Sequence, residues 1–154
     1  MKSSREIAID MLVEIETQSP MRLKTILIVL ALVLTGAACK KAPQGRVFFV
    51  SPADGAVVKS PLRVEFGVEG MTVQAAGDIV PGTGHHHLII NGDAEPAGTV
   101  VPSDETHKHF GKGQTEAEIK LEPGKYRLTL QFANGHHESY GPEFSTSINI
   151  TVEK

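Results

Sequence analysis

Alternation of apolar and polar residues at period two constrains this chain more than any other feature. Leu62, Val64, Phe66 and Val68 are apolar, with Arg63 and Glu65 between them. Ala117, Ile119 and Leu121 alternate with Glu116, Glu118 and Lys120. Tyr126, Leu128, Leu130 and Phe132 alternate with Arg127, Thr129 and Gln131, and Ile148, Ile150 and Val152 with Ser147, Asn149 and Thr151. Successive residues of a strand face opposite sides, so each run predicts a half-buried strand. Arg46 to Val50 and His86 to Asn91 are further candidates, and Gly98 to Val101 is a seventh. Turn chemistry separates them at Pro52-Ala53-Asp54-Gly55, Pro81-Gly82, Asn91-Gly92, Pro123-Gly124 and Asn134-Gly135. Asn-Gly suits a tight hairpin because both residues tolerate positive φ. About seven short strands with this punctuation predict an all-β, antiparallel β-sandwich. Tyr126 enters its strand just after Pro123-Gly124. That is the position of the tyrosine corner of immunoglobulin-like domains, which makes the expected sandwich immunoglobulin-like.

The N-terminal stretch falls outside that pattern. Ile26 to Leu34 is an uninterrupted apolar run of nine residues, under half of the ~20 that a membrane-spanning helix needs. Met21-Arg22-Leu23-Lys24 gives it a basic start and Thr35-Gly36-Ala37-Ala38-Cys39 a small-residue exit. Together they predict a signal peptide over residues 21–38. Residues 1–20 carry four acids against two bases, which does not suit the front of such a signal. They read as an upstream start artefact or a disordered extension.

Cys39, the sole cysteine, stands where the processed chain would begin. Leu34 to Cys39 resembles a bacterial lipoprotein signal, so Cys39 is the expected lipidation site. Ordinary secretion, cut at the same bond, is the alternative. Lys40 and Lys41 replace the acidic residue associated with inner-membrane retention. The expected location is therefore the periplasm, with a lipid on Cys39 as an outer-membrane anchor and the sole membrane contact. A short tether, 39–45, then leads into the sandwich domain, 46–153.

Five segments together carry a resemblance to a known family. They are Phe48 to Gly55, Gly84 to Ile90, His107 to Glu116, Leu121 to Leu130 and Ser147 to Val152. In that order they are similar to a family of secreted bacterial domains known as domain of unknown function 4399. The two histidine segments, Gly84-His85-His86-His87 and His107-Lys108-His109-Phe110-Gly111, are the most specific. Tyr126 departs from the family, where histidine is common, and so does His136 to Gly141, where the family loop is richer in proline. The resemblance implies a secreted immunoglobulin-like fold and no established activity.

All seven histidines lie between positions 85 and 137. In an immunoglobulin-like sandwich, His85, His86 and His87 begin the third strand. His136 and His137 follow the sixth strand at the same end. His107 and His109 lie in a connection that returns there. His85 and His87 share a strand face, as do His107 and His109 if locally extended. Such pairs stand about 6.6 Å apart at the rise of a strand, within reach of one ion. His86 points the other way, in phase with Leu88 and Ile90, and is expected to be packed or hydrogen-bonded. The expected metal ligands are His85, His87, His107, His109 and His137. His137 is preferred over His136 because it better matches the family's loop histidine.

An all-imidazole set suits Cu(II), Zn(II) or Ni(II), and copper or zinc is the expected ion. Met71 is the only methionine after the signal, which disfavours a thioether site for Cu(I). Asp104, Glu105 and Glu138 are candidate oxygen ligands or partners that orient a ligand ring. The alternative is a metal-free network, hydrogen-bonded or responsive to pH, because histidine titrates near 6.5.

Other classes fit poorly. A net charge of −3, aromatics at 5% and no tryptophan argue against nucleic acid. One cysteine makes neither an internal disulfide nor a cysteine-rich zinc site. Phe110 to Thr115 lacks the spacing of a phosphate loop and reads as a glycine-rich turn. There is no nucleophile elbow, HExxH helix or carboxylate pair, so the protein is not expected to be an enzyme. A hydrolytic zinc site of three histidines with an open position is disfavoured. The leading expectation is a metal-binding module of the cell envelope that stores, delivers or senses copper or zinc. The alternative is a structural or interaction module whose partner is an unknown envelope protein.

Overall fold

The computed structural model describes residues 45–154. The N-terminal extension, the signal peptide, Cys39 and nearly all of the tether lie outside the described residues. Nine strands form, in chain order: β1 Arg46–Ser51, β2 Val57–Lys59, β3 Leu62–Glu69, β4 Thr72–Val73, β5 Thr83–Ile90, β6 His107–His109, β7 Glu116–Ile119, β8 Gly124–Ala133 and β9 Ser145–Glu153. The described residues contain no α-helix, only a 3₁₀ turn at Pro142–Phe144. One sheet has the order β1-β3-β7. The other has the order β2-β9-β8-β5-β4, with β6 also paired to β5.

The alternating residues fill the space between the sheets. Val47, Leu62, Val64, Phe66 and Ile119 from one sheet meet Leu88, Ile90, Leu128, Leu130, Phe132, Ile148, Ile150 and Val152 from the other. The Tyr126 hydroxyl donates to the backbone oxygen of Glu122 at 2.9 Å, which is the bond of a tyrosine corner. The expected sandwich is thus present, with two amendments. The six-stranded sheet is mixed, because β2 runs parallel to β9 and β4 parallel to β5. Gly98 to Val101 is not a strand; Val100 makes only an isolated bridge to Glu138.

Asn91-Gly92 does not close a tight hairpin either. Asn91 has a positive φ of 57°, but the chain then leaves the sheet as a long strap, residues 91–106, before returning as β6. The strap lies over the outer face of β5 and β8 and is tied there by polar side chains. Thr129 Oγ1 donates to the Gly92 oxygen at 2.7 Å, and Gln131 Oε1 accepts from the Glu95 amide at 3.2 Å. Gln131 Nε2 reaches the Gly141 and Phe144 oxygens at 3.1 and 3.2 Å. Thr129 and Gln131 are therefore fully buried on what the alternation makes the polar side. Each is hydrogen-bonded, as a buried polar group must be to avoid a desolvation cost.

Candidate metal centre

Strand pairing brings the histidines together. β5 runs antiparallel to β8 with His85 opposite Ala133, so the start of β5 meets the end of β8. On its other edge β5 pairs with β6, with His87 opposite His109. His137 arrives from the turn that follows β8. That turn is built by Asn134, whose side-chain oxygen accepts from the His136 and Glu138 amides at 2.9 and 3.0 Å. The His137 amide donates to the Asn134 backbone oxygen at 2.9 Å, and His137 itself takes a positive φ of 67°. A non-glycine residue in that region is uncommon and needs its surroundings to hold it. The strap supplies one such tie, since the Val101 amide donates to the His137 oxygen at 2.9 Å.

His85, His87, His109 and His137 form one group, in which a ligand-capable nitrogen from each lies within 4.8 Å of all the others. The Nε2 atoms of His85 and His87 are 3.0 Å apart, and His85 Nε2 is 3.1 Å from His137 Nδ1. Two nitrogens held by one ion at roughly 2.0–2.1 Å would stand about 2.9–3.4 Å apart, for right-angled to tetrahedral geometry. Both short separations fall in that range. Hydrogen bonding alone serves His85 less well. A neutral imidazole nitrogen carries either a proton or a lone pair, so Nε2 cannot donate to one neighbour and accept from the other.

Depth differs across the group. His85 and His87 are fully buried, His137 half-buried and His109 exposed, so the group opens to solvent on the His109 side. Burial pushes the ring of His85 down to about 4 and that of His87 to about 3. The neighbouring imidazoles add to both shifts, and His109 is lowered for the same two reasons. The rings of His85, His87 and His109 are therefore neutral at pH 7 and their nitrogens free to ligate. His85 Nδ1 and His87 Nδ1 are buried without a hydrogen-bond partner among the described residues. Packing, not a carboxylate, orients those two rings: His85 lies 4.8 Å from His87 and edge-on to His109 and His137 at 5.0 Å.

Four of the five expected ligands are thus brought together, and His107 is not among them. It lies two residues from His109 on β6, but its Nδ1 bonds to Asp104 Oδ1 at 2.9 Å. His136 is exposed and outside the group, as expected. No carboxylate joins the set: Asp104 is taken by His107 and Thr106, and Glu138 accepts from Asn134 Nδ2 at 2.8 Å. His86 points into the core, packed 4.8 Å from Phe66 and 4.9 Å from Phe132.

A family model described as a domain of unknown function, DUF4399, matches residues 64–153. The chain belongs to that family. The DUF4399 match spans every strand from β5 onward and all four grouped histidines. It begins after Phe48 to Gly55, so that segment's likeness lies outside the match. The family description assigns no activity. No curated protein and no solved structure matches the chain.

Gly111 is a positioning residue that the alternation does not reveal. A methyl group added there would run into Cε1 and Nε2 of the His109 ring. The glycine therefore lets the exposed ring of the group lie close against the turn that follows β6.

Proposed function

We propose that this protein binds one divalent transition-metal ion, copper or zinc, through His85, His87, His109 and His137. The observation that carries this reading is the convergence of four imidazoles from three separate stretches of chain onto one point. Four nitrogen donors with no thiolate or carboxylate suit a borderline ion such as Zn(II) or Cu(II). With no cysteine ligand for a blue-copper centre, the reading is a non-enzymatic one: storage, delivery or sensing. The signal-like N-terminus supports export, and Cys39 supports a lipid anchor that would hold the module at the outer membrane facing the periplasm.

The test is the metal content of the purified protein, measured by mass spectrometry after expression without an affinity tag. Wild type is expected to carry close to one equivalent of copper or zinc. His85→Ala/His109→Ala should carry none, while His136→Ala, which alters an exposed histidine outside the group, should match wild type. Absence of metal from wild type, with no uptake of added Zn(II) or Cu(II), would leave a metal-free histidine network and an unknown envelope partner.

Gly111→Ala provides a gentler perturbation. The added methyl displaces the His109 ring without removing any ligand. Metal affinity should fall by roughly 10–100-fold, the usual cost of disturbing the support of a ligand. The melting temperature of the metal-free protein should barely change. A chelator competition titration reads the first quantity and thermal unfolding the second.

A further inference from the structure

His107 holds the best-prepared metal ligand near the group, and yet it is not part of the group. Asp104 Oδ1 accepts from the Thr106 amide, the Thr106 hydroxyl, the His107 amide and His107 Nδ1, at 2.7, 2.8, 2.9 and 2.9 Å. Those bonds keep the carboxyl ionised, well below the usual carboxylate range. An ionised carboxylate only accepts, so His107 Nδ1 must carry the ring proton. In the neutral ring the lone pair is then on Nε2. A histidine fixed in this tautomer by a carboxylate is the arrangement that orients ligand imidazoles and raises their basicity. His85 and His87, deep in the group, lack such a partner.

The location of His107 is equally specific. His107 is opposite Ile89 and His109 opposite His87, so His107 is two residues along the same ladder and shares a face with His109. The His107 side chain is 18% exposed. It lines, with His109, a groove of about 540 Å³ between β6 and the edge of β7, to which Lys108, Phe110, Glu118 and Lys120 also contribute. His85 and His87 are fully buried and His109 is exposed, so the groove adjoins the member of the group that meets solvent.

We propose that His107 is the capture ligand of the site, taking a hydrated Zn(II) or Cu(II) ion from the groove and passing it to His109. This rests on the four-histidine reading and adds a route to it. One water leaves the ion as His107 Nε2 binds. His109 then displaces a second water, and the bond to His107 breaks and the remaining waters leave to solvent as His85, His87 and His137 take over. The oxidation state does not change, and His107 ligates as the neutral ring, with Nδ1–H kept on Asp104 and the lone pair on Nε2 offered to the ion. A ligand that acts only along the route changes loading and release equally and leaves the equilibrium alone.

Stopped-flow mixing of metal-free protein with Zn(II) or Cu(II) salts, followed by release to an excess of chromophoric chelator, tests this. His107→Ala should slow both loading and release about 10-fold or more, with the dissociation constant within about 3-fold of wild type. Asp104→Asn, which weakens the hold on the ring, should slow both less. His107→Gln keeps the approximate shape of the side chain and replaces the alanine variant if that fails to fold. Unchanged rates in these variants overturn the capture role while leaving the four-histidine site intact. A large loss of affinity at an unchanged loading rate makes His107 a resident ligand and also overturns it. Wild type that takes up neither ion overturns the site, and the route with it.

Discussion

Metal-free protein should lose on the order of 5 kcal/mol of stability between pH 7 and pH 5. The cause is three histidines that refuse protons in the folded state. Burial lowers His85 and His86 to about 4 and His87 to about 3, from an ordinary 6.5. Above 6.5 folded and unfolded chains are both neutral at these positions, and nothing is gained or lost. As pH falls below 6.5 the unfolded chain takes up protons that the folded chain takes up only near 4 and 3. Stability therefore falls across the window from 6.5 to about 4, by about 1 kcal/mol per pH unit for each histidine. Three such groups over the relevant interval sum to several kcal/mol, within reach of the ~5–15 kcal/mol that holds a typical domain. Urea unfolding at pH 7, 6 and 5, with chelator present, measures it. His86→Leu isolates one contribution. His86 is packed between Phe66 and Phe132 with neither ring nitrogen paired. An apolar replacement of similar volume should not weaken the protein at pH 7 and should flatten the acid slope by about a third. Equal stability at pH 7 and pH 5 would mean that these rings titrate normally.

What the sequence revealed follows from the length over which each signal acts. Leu62 to Val68, Tyr126 to Phe132 and Ile148 to Val152 alternate through several residues, and all three become long strands with those residues in the core. β2, β4 and β6 have three, two and three residues, too few for any period to register. The polar residues Thr129 and Gln131 read as solvent-facing because the strap that buries them is ordered by tertiary hydrogen bonds, not by its own pattern. The convergence of His85, His87, His109 and His137 was legible because antiparallel pairing fixes which strand ends meet. His107 shows where that reasoning stops. Spacing correctly placed it on the face of His109, but Asp104, three residues upstream, claims its Nδ1 through a local turn that periodicity does not detect. Gly111 was invisible for a related reason, since a glycine's purpose depends on which ring lies against it.

Saturating Zn(II) or Cu(II) should raise the melting temperature of wild type by roughly 10–20 °C, and the gain should concentrate around the strap. The ligands come from β5, from β6 and from the turn after β8, so the ion joins segments that are separate in the unfolded chain. An ion that binds only the folded state at ~1,000 times its dissociation constant adds about 4 kcal/mol, and each kcal/mol moves the melting point of a domain this size by several degrees. The strap participates because its bonds end on the same turn: the Val101 amide donates to the His137 oxygen, and the Gly98 amide to the Ser139 oxygen, both at 2.9 Å. Fixing the His137 ring removes motion from the backbone those amides depend on. Hydrogen exchange should therefore slow at Val101 and Gly98 more than at Val64 or Ile150, which lie in the core between the sheets. His85→Ala/His109→Ala should lose both the thermal shift and the local protection. An equal thermal shift in that variant would place the ion elsewhere, because the remaining pair, His87 and His137, has rings 5.9 Å apart and only two donors to offer. Protection spread evenly over the molecule would mean that metal stabilises the sandwich without engaging the turn, and His137 would then be removed from the ligand set.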